Sequence, residues 1–370
     1  MPGVPQSLVG CALLASETAA DIARRCRSDT RLLSLLVQEK CGDDANHSRF
    51  ARDFKTLADV LVQCVVAKRI GQQFPELNDS VYGEENDTIQ NNVGRDVTIR
   101  VGDTVDETLE CLCEALDNDL ESARSLAEAA HRQFTVDQLN VDLVPPDSEV
   151  LDLTKVGIWI DPIDSTNEYI SGNVEAENEF GFHSSGLHCV TINIGVFDKE
   201  TGKPLAGVIN QPFYMRDADK RWSGRCYWAL CNQQQKGLHS LPTFVNENKP
   251  DVIVTSSSEC EAVTTSLRQS GYTVLTAAGA GYKLLCVALG AVRAYVLTKD
   301  STFAWDTCAA HAMIVSLGGN ACHCVRPAGL EPLTYSPKTL SGNRTYCNAA
   351  GIIASRHPQT VQKVHALIND

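Results

Sequence analysis

No apolar run in the 370 residues reaches the roughly 18–20 needed to cross a bilayer, so no transmembrane helix is expected. Basic residues are outnumbered: 32 Lys and Arg stand against 46 Asp and Glu, giving a net charge of −14 and a pI of about 5.1. That balance excludes broad binding to nucleic acid or to anionic membranes, which a basic surface would be needed to neutralise. It leaves room for a polyphosphate ligand whose charge is balanced by metal ions. The apolar patch from Leu8 to Ala15 has no basic segment before it and does not read as a signal peptide. Zinc spacing is also missing, because Cys111 and Cys113, like Cys322 and Cys324, are separated by a single residue. The fifteen cysteines are an odd, scattered set, often inside apolar runs (Cys64, Cys189, Cys286, Cys308). They read as small buried hydrophobes in a reducing compartment, hence a cytoplasmic protein. No obligate protein partner is evident.

The most informative stretch runs from Gly157 to Ile170. Ile158, Trp159 and Ile160 form a buried-strand run, and Pro162, lacking an N–H, is expected to end it. Ser165 with Glu168 three positions on is a capping-box pattern that predicts a helix from about Thr166. Between strand and helix lie Asp161 and Asp164. Two carboxylates in one tight turn repel unless a cation lies between them, and oxygen ligands suit a hard cation such as Mg²⁺. The free N–H groups at the helix start offer a phosphate site beside it. The plainer reading makes Asp161 a strand end and Ser165 a simple cap.

Elsewhere the pattern is mixed. Residues 7 to about 40 carry helical periodicity, with Leu8, Cys11, Leu14, Ala15, Ala19, Ile22 and Ala23 on one face. A second helix follows Phe54, with a stripe of Leu57, Ala58, Leu61, Val62, Val65 and Val66. Lys55, Asp59 and Gln63 lie off that stripe, as a solvated face would, with Lys55 and Asp59 as a weak ion pair. Val81-Tyr82-Gly83-Glu84-Glu85 leads into a turn with paired acids. Residues 87–156 read as an insertion with a β piece at 97–101, two helices near 104–117 and 119–133, and no catalytic pattern. Strand runs at 189–197, 207–211 and 226–230 imply an antiparallel sheet. His183 and His188 read as ordinary loop or strand residues.

From about residue 250 strands alternate with helices, which argues for a partly parallel sheet with ligands at its strand ends. There Ser256 and Ser258 can donate to a sugar hydroxyl or phosphate. Gly279 and Gly281, on either side of Ala280, let the backbone approach a ligand closely, so that Gly279 and Ala280 are candidate substrate contacts, and Lys283 can neutralise a second phosphate. Taken alone, the glycines favour the plainer reading, close helix–strand packing. Asp306 stands where a helix should begin, as an N-cap would. His311 reads as packed within that helix, and a last helix starts at about Gln359. The expected division is 1–245, an α+β half, and 246–370, an α/β half completing the site.

Asp161-Pro162-Ile163-Asp164-Ser165-Thr166 after an apolar strand closely resembles the signature of the Mg²⁺-dependent, lithium-sensitive phosphatases related to inositol monophosphatase. Trp305-Asp306 followed by Ala309-Ala310-His311-Ala312 resembles the second signature of that family. The long insertion and the wording of the motifs point to its inositol polyphosphate 1-phosphatase branch. The resemblance implies a layered αβαβα sandwich with an antiparallel sheet half and a mixed, largely parallel half. It implies Mg²⁺ held by Glu84, Asp161, the Ile163 carbonyl, Asp164 and Asp306, with Asp59 as a weaker ligand and two to three ions in all. Lithium would inhibit by occupying a magnesium position. Lys55-Thr56-Leu57-Ala58-Asp59 resembles the segment whose acid helps to activate water, which gives Asp59 a catalytic role with Thr166 and Glu84. Glu85 would support Glu84, and the N–H groups of Ser165 and Thr166 would hold the phosphate, beside Asp164. The implied substrates are inositol 1,4-bisphosphate and inositol 1,3,4-trisphosphate, losing the 1-phosphate. A 3′-phosphoadenosine 5′-phosphate phosphatase and a catalytically silent inositol-phosphate binder are the rival readings.

Overall fold

The computed structural model describes residues 7–28, 37–39, 54–91, 93–149, 151–231, 237–242, 251–324, 330–337 and 346–369. Helix α1 (Leu8–Ser28) is followed by short strands β1 (Val37–Glu39) and β2 (Phe54–Thr56), which pair antiparallel. Helical periodicity to residue 40 is therefore an overestimate. The apolar seam of α1 stops at Cys26, among Arg24, Arg25 and Arg27, and Val37–Glu39 is strand. Helix α2 (Leu57–Gln73) leads to β3 (Val81–Gly83). The predicted insertion holds a hairpin, β4 (Thr88–Gln90) with β5 (Asp96–Thr98), and helices α3 (Val105–Ala115) and α4 (Leu120–His131). α4 packs against α1, where Arg132 just beyond it pairs with Asp21 at 3.4 Å.

The central strands are β6 (Val156–Asp164), β7 (Thr191–Asp198), β8 (Pro204–Arg216) and β9 (Trp222–Leu230), with helix α5 (Thr166–Ser171) between β6 and β7. They form an antiparallel meander, to which β10 (Leu238–His239) adds at one edge. β3 joins the other edge parallel to β6, so the six-stranded order is β10-β9-β8-β7-β6-β3. A second sheet holds β11 (Val252–Thr255), β12 (Thr273–Thr276), β13 (Ala294–Leu297), β14 (Asn320–Cys322) and β15 (Ile352–Ser355). Its order is β12-β11-β13-β15-β14, with the first three strands parallel and β15 antiparallel to both neighbours. The parallel pairs are bridged by helices α6 (Glu261–Gln269) and α7 (Ala280–Ala288), as parallel strands require.

Helices α8 (Ala304–Ser316) and α9 (Pro358–Asn369) complete the layers. α1 and α2 cover one face of the large sheet, α7 and α8 fill the space between the sheets, and α6 and α9 cover the far face. The αβαβα sandwich is as expected. β7 is buried on both faces, which is why it reads as a near-continuous apolar run. Gly195 of β7 is paired with Gly207 of β8, and α8 rests directly on that pair. A Cβ on Gly195 would lie 2.5 Å from Cys308 Cβ, and one on Gly207 would lie 2.1 Å from the Ala309 carbonyl oxygen. The absence of two side chains thus lets α8 sit close to the sheet and carry Asp306 towards β6.

Candidate active site

In a regular strand, residues three apart face opposite sides of the sheet. β6 escapes that rule. Asp161 pairs with Asn193 and Asp164 with Thr191, so three residue steps on β6 match two on β7. The extra residue is a β-bulge, and it returns both carboxylates to one side. Pro162 therefore does not end the strand, which continues to Asp164. Its missing N–H is tolerated because it lies in the bulge. Asn193 Nδ2 donates to Asp161 Oδ2 at 3.4 Å, and Thr191 Oγ1 donates to Asp164 Oδ2 at 3.3 Å.

Three further elements converge here. β3 runs beside β6 with Gly83 opposite Ile160, and the Glu84 N–H donates to the Ile160 carbonyl at 3.2 Å. Parallel pairing is what brings Glu84 next to Asp161 across a long stretch of sequence. α7 aims its N-terminus at Asp164, whose two oxygens accept the Ala280 and Tyr282 N–H groups, each at 3.3 Å. Gly279 precedes that helix at φ +72°, and a Cβ there would lie 2.7 Å from an Asp164 oxygen. α8 supplies Asp306, which is not the N-cap but the third helical residue, accepting the Phe303 N–H at 2.6 Å.

The result is a cluster in which Asp161, Asp164 and Asp306 each offer a carboxylate oxygen, all within 4.8 Å of one another. Asp161 Oδ1 is buried with no hydrogen-bond donor. Burial, then Glu84, Asp164 and Asp306, push the Asp161 carboxyl well above its usual range. Asp306 is pushed well up by burial, then by Asp164 and Glu84. Asp164 is raised by burial, against which Lys283 and the α7 amides pull it down. An unsatisfied buried oxygen within an all-carboxylate, mutually repelling set fits a hard divalent cation. No other group of metal-ligating side chains occurs among the described residues.

Ser165 adopts a left-handed conformation (φ +69°, ψ +47°) and α5 begins at Thr166, but the capping box is not formed. Ser165 makes no side-chain cap, and Glu168 instead accepts the Gly186 N–H at 2.6 Å, tying the following loop to the helix. The Thr166 hydroxyl donates to the Ile163 carbonyl at 3.2 Å. Asp59 is buried rather than on a solvated face, and it forms a capping box with Thr56 at the start of α2. The Thr56 N–H donates to its Oδ2 at 2.8 Å. Glu85 follows Glu84 in the turn, its backbone held by Gln63.

Over the cluster opens a cavity of about 390 Å³, lined by Glu84, Asp164, Ser165, Thr166, Ser256, Gly279, Ala280, Lys283 and Asp306. That size suits a small phosphorylated ligand. Ser257 also lines it, whereas Ser258 is exposed beside it with its hydroxyl 3.1 Å from that of Ser256. Lys283 is buried, donates to the Ala277 carbonyl at 3.0 Å and lies over the Tyr295 ring. Burial lowers the pKa of its ammonium, and Asp164 opposes that. His183 and His188 lie apart from this set, with their rings stacked 3.9 Å apart.

Sequence reading missed several residues of the site. Thr191 and Asn193 carried a usable signal, being polar residues at alternate positions of an apolar strand. Thr302, Phe303 and Trp305 form a further wall, with the two rings stacked at 4.8 Å. Asn348 holds that wall by donating to the Phe303 carbonyl at 3.1 Å, a contact with no local sequence signal.

A family model for the inositol monophosphatase family matches residues 15–369. Inositol polyphosphate 1-phosphatase of Mus musculus is 39% identical over 374 residues, covering 93% of this chain and 92% of the mouse protein. The Homo sapiens protein of that name is 37% identical, covering 96% and 95%. The 3′(2′),5′-bisphosphate nucleotidase 1 of Rattus norvegicus is 25% identical, covering 82% and 80%. Among solved structures, an inositol monophosphatase from Zymomonas mobilis superposes with a TM-score of 0.51 at 14% identity, over 97% of this chain and 96% of that one, a likeness of fold. With nearly the whole chain matched, and its acid cluster assembled by the fold that match implies, the protein belongs to the inositol monophosphatase family.

Proposed function

We propose that this chain is a Mg²⁺-dependent phosphomonoesterase that removes the 1-phosphate of inositol 1,4-bisphosphate and inositol 1,3,4-trisphosphate and is inhibited by Li⁺. The observation that carries the reading is the three-aspartate cluster with a buried, donor-less Asp161 oxygen, set under a cavity that also holds Lys283. The 39% identity to mouse inositol polyphosphate 1-phosphatase supports the substrate class. In this reading Glu84, Asp161, the Ile163 carbonyl, Asp164 and Asp306 hold Mg²⁺, with Asp59 as a weaker ligand and Glu85 in support. When bound, the ions supply Lewis acidity and neutralise phosphate charge. A water oxygen attacks phosphorus as the bond to the inositol oxygen breaks. Thr166 Oγ1 orients that water and the Asp59 carboxylate takes its proton. The departing inositol oxygen is protonated from solvent. The N–H groups of Ser165 and Thr166 hold the phosphate, and Ser256, Ser258, Gly279, Ala280 and Lys283 hold the rest of the substrate. The scattered cysteines favour a cytoplasmic setting.

Two measurements test this. Replacing Asp161 with Asn should lower activity roughly 10³-fold or more, and near-normal turnover at saturating Mg²⁺ would sink the metal assignment. Phosphate release should be compared on inositol 1,4-bisphosphate, inositol 1-phosphate and 3′-phosphoadenosine 5′-phosphate, with and without Li⁺. Fast, lithium-blocked release from the first supports the proposal. Preference for the nucleotide overturns the substrate, and silence on all three points to a binding protein.

A further inference from the structure

Gln63 sits one helical turn after Asp59 on α2, at a position that reads from sequence as solvent-facing. It is half-buried and fully engaged. Its Oε1 accepts the Glu85 N–H at 3.0 Å, and its Nε2 donates to the Glu85 carbonyl at 2.5 Å. One primary amide thus makes both bonds that a neighbouring strand would offer to that residue. The contact is close. A Cβ on Gly83 would lie 2.1 Å from Gln63 Oε1 and 2.2 Å from its Cδ, so the amide lies directly against the glycine. β3 is the edge strand of its sheet, with β6 on one side. The chain leaving it is bonded to β6 through the Glu84 N–H and to α2 through Glu85.

We propose that Gln63 is a positioning residue for Glu84, fixing its carboxylate over the Asp161–Asp164–Asp306 cluster by clamping the backbone of Glu85. The inference rests on the metal-centre reading above. Through Gln63, α2 ties the Glu84 turn to the helix that bears Asp59. Partners that orient a ligand in this way typically contribute about 10- to 100-fold in metal affinity or activity. A merely structural helix–loop contact would instead contribute to stability whether or not metal is present.

The test uses the full chain stripped with EDTA, with Mg²⁺ binding read by titration calorimetry and thermal unfolding read in EDTA. Gln63→Met keeps the length of the side chain and removes both hydrogen bonds. It should weaken Mg²⁺ binding about 10-fold or more while leaving the unfolding temperature in EDTA close to that of the parent. Gly83→Ala should have the same effect with Gln63 intact, because the new methyl displaces the amide. Added to Gln63→Ala, it should cost nothing more, since the obstructing atoms are gone. This cycle carries the test on its own if Gln63→Met does not fold. Parent-like Mg²⁺ affinity in Gln63→Met, or additive losses in the cycle, overturns the role of Gln63. Asp161→Asn separates the two layers. Loss of binding there beside unchanged binding in Gln63→Met leaves the metal centre standing and removes only the clamp. No Mg²⁺ binding by the parent removes both.

Discussion

Asp161 shows at the scale of one residue what the site requires of the fold. Its carboxylate is buried beside three other acids, and its pKa is raised by burial first and by those neighbours second. Asp306 and Asp164 are raised as well. A carboxyl whose folded pKa exceeds its unfolded value holds a proton that the unfolded chain releases, so its contribution to stability is lost as pH rises. The metal-free protein should therefore melt at lower temperature as pH goes from ~5 to ~8. Mg²⁺ should reverse that trend, by an increment that grows with pH as fewer protons compete for the oxygens. Thermal scans in EDTA and in Mg²⁺ across that range check it. A flat melting temperature in EDTA would mean that the acids are not mutually strained.

At the scale of elements, α8 is the piece that most needs its neighbours. It rests on two glycines of the sheet, presents Asp306 at its first turn and buries His311 one turn later. Both ring nitrogens of His311 are engaged, with the Tyr335 hydroxyl at 2.9 Å and Asn320 Oδ1 at 2.8 Å, and burial lowers its pKa to about 4. A depressed histidine pKa stabilises the fold above the unfolded value of ~6.5 and loses that contribution as pH falls towards ~4, at most about 3 kcal/mol. In urea unfolding in EDTA, the stability gap between the parent and His311→Gln should narrow as pH falls from ~7 to ~4.5, since the contribution of the acid cluster is common to both. An equal slope in both would remove His311 from the acid limb. Most of these elements were legible. The apolar periodicities predicted α2, the two insertion helices, the meander and the alternating second half, and two acid-bearing signatures predicted the cluster. What stayed hidden depended on partners remote in the chain. Gln63 looked solvated because its partner is a backbone 22 positions away. Ser165 and Glu168 matched a cap, but Glu168 bonds the loop at Gly186 instead.

At the scale of the whole molecule, the site belongs to neither sheet alone. Asp161 and Asp164 come from the first sheet, and Asp306 comes from the helix layer between the two. The charge balance of the chain fits that placement, since an acidic surface repels an anionic ligand except where positive charge is gathered. The bulge in β6 has a different kind of consequence. Between Asp161 and Asp164 the number of residues matters more than their side chains, because the bulge holds one residue more than β7 pairs, and one residue fewer removes that surplus residue and its carbonyl while leaving the two aspartates on one face of a regular strand. Deleting Ile163 should therefore weaken Mg²⁺ binding through loss of that carbonyl, whereas Ile163→Val should retain it, and calorimetry on the pair decides the point. Parent-like binding after the deletion would show that the surplus residue of the bulge is not needed. The stretch behaves like a reading frame. It tolerates changes of letter and fails on a change of count, so drift in this lineage can respell the bulge far more readily than it can shorten it.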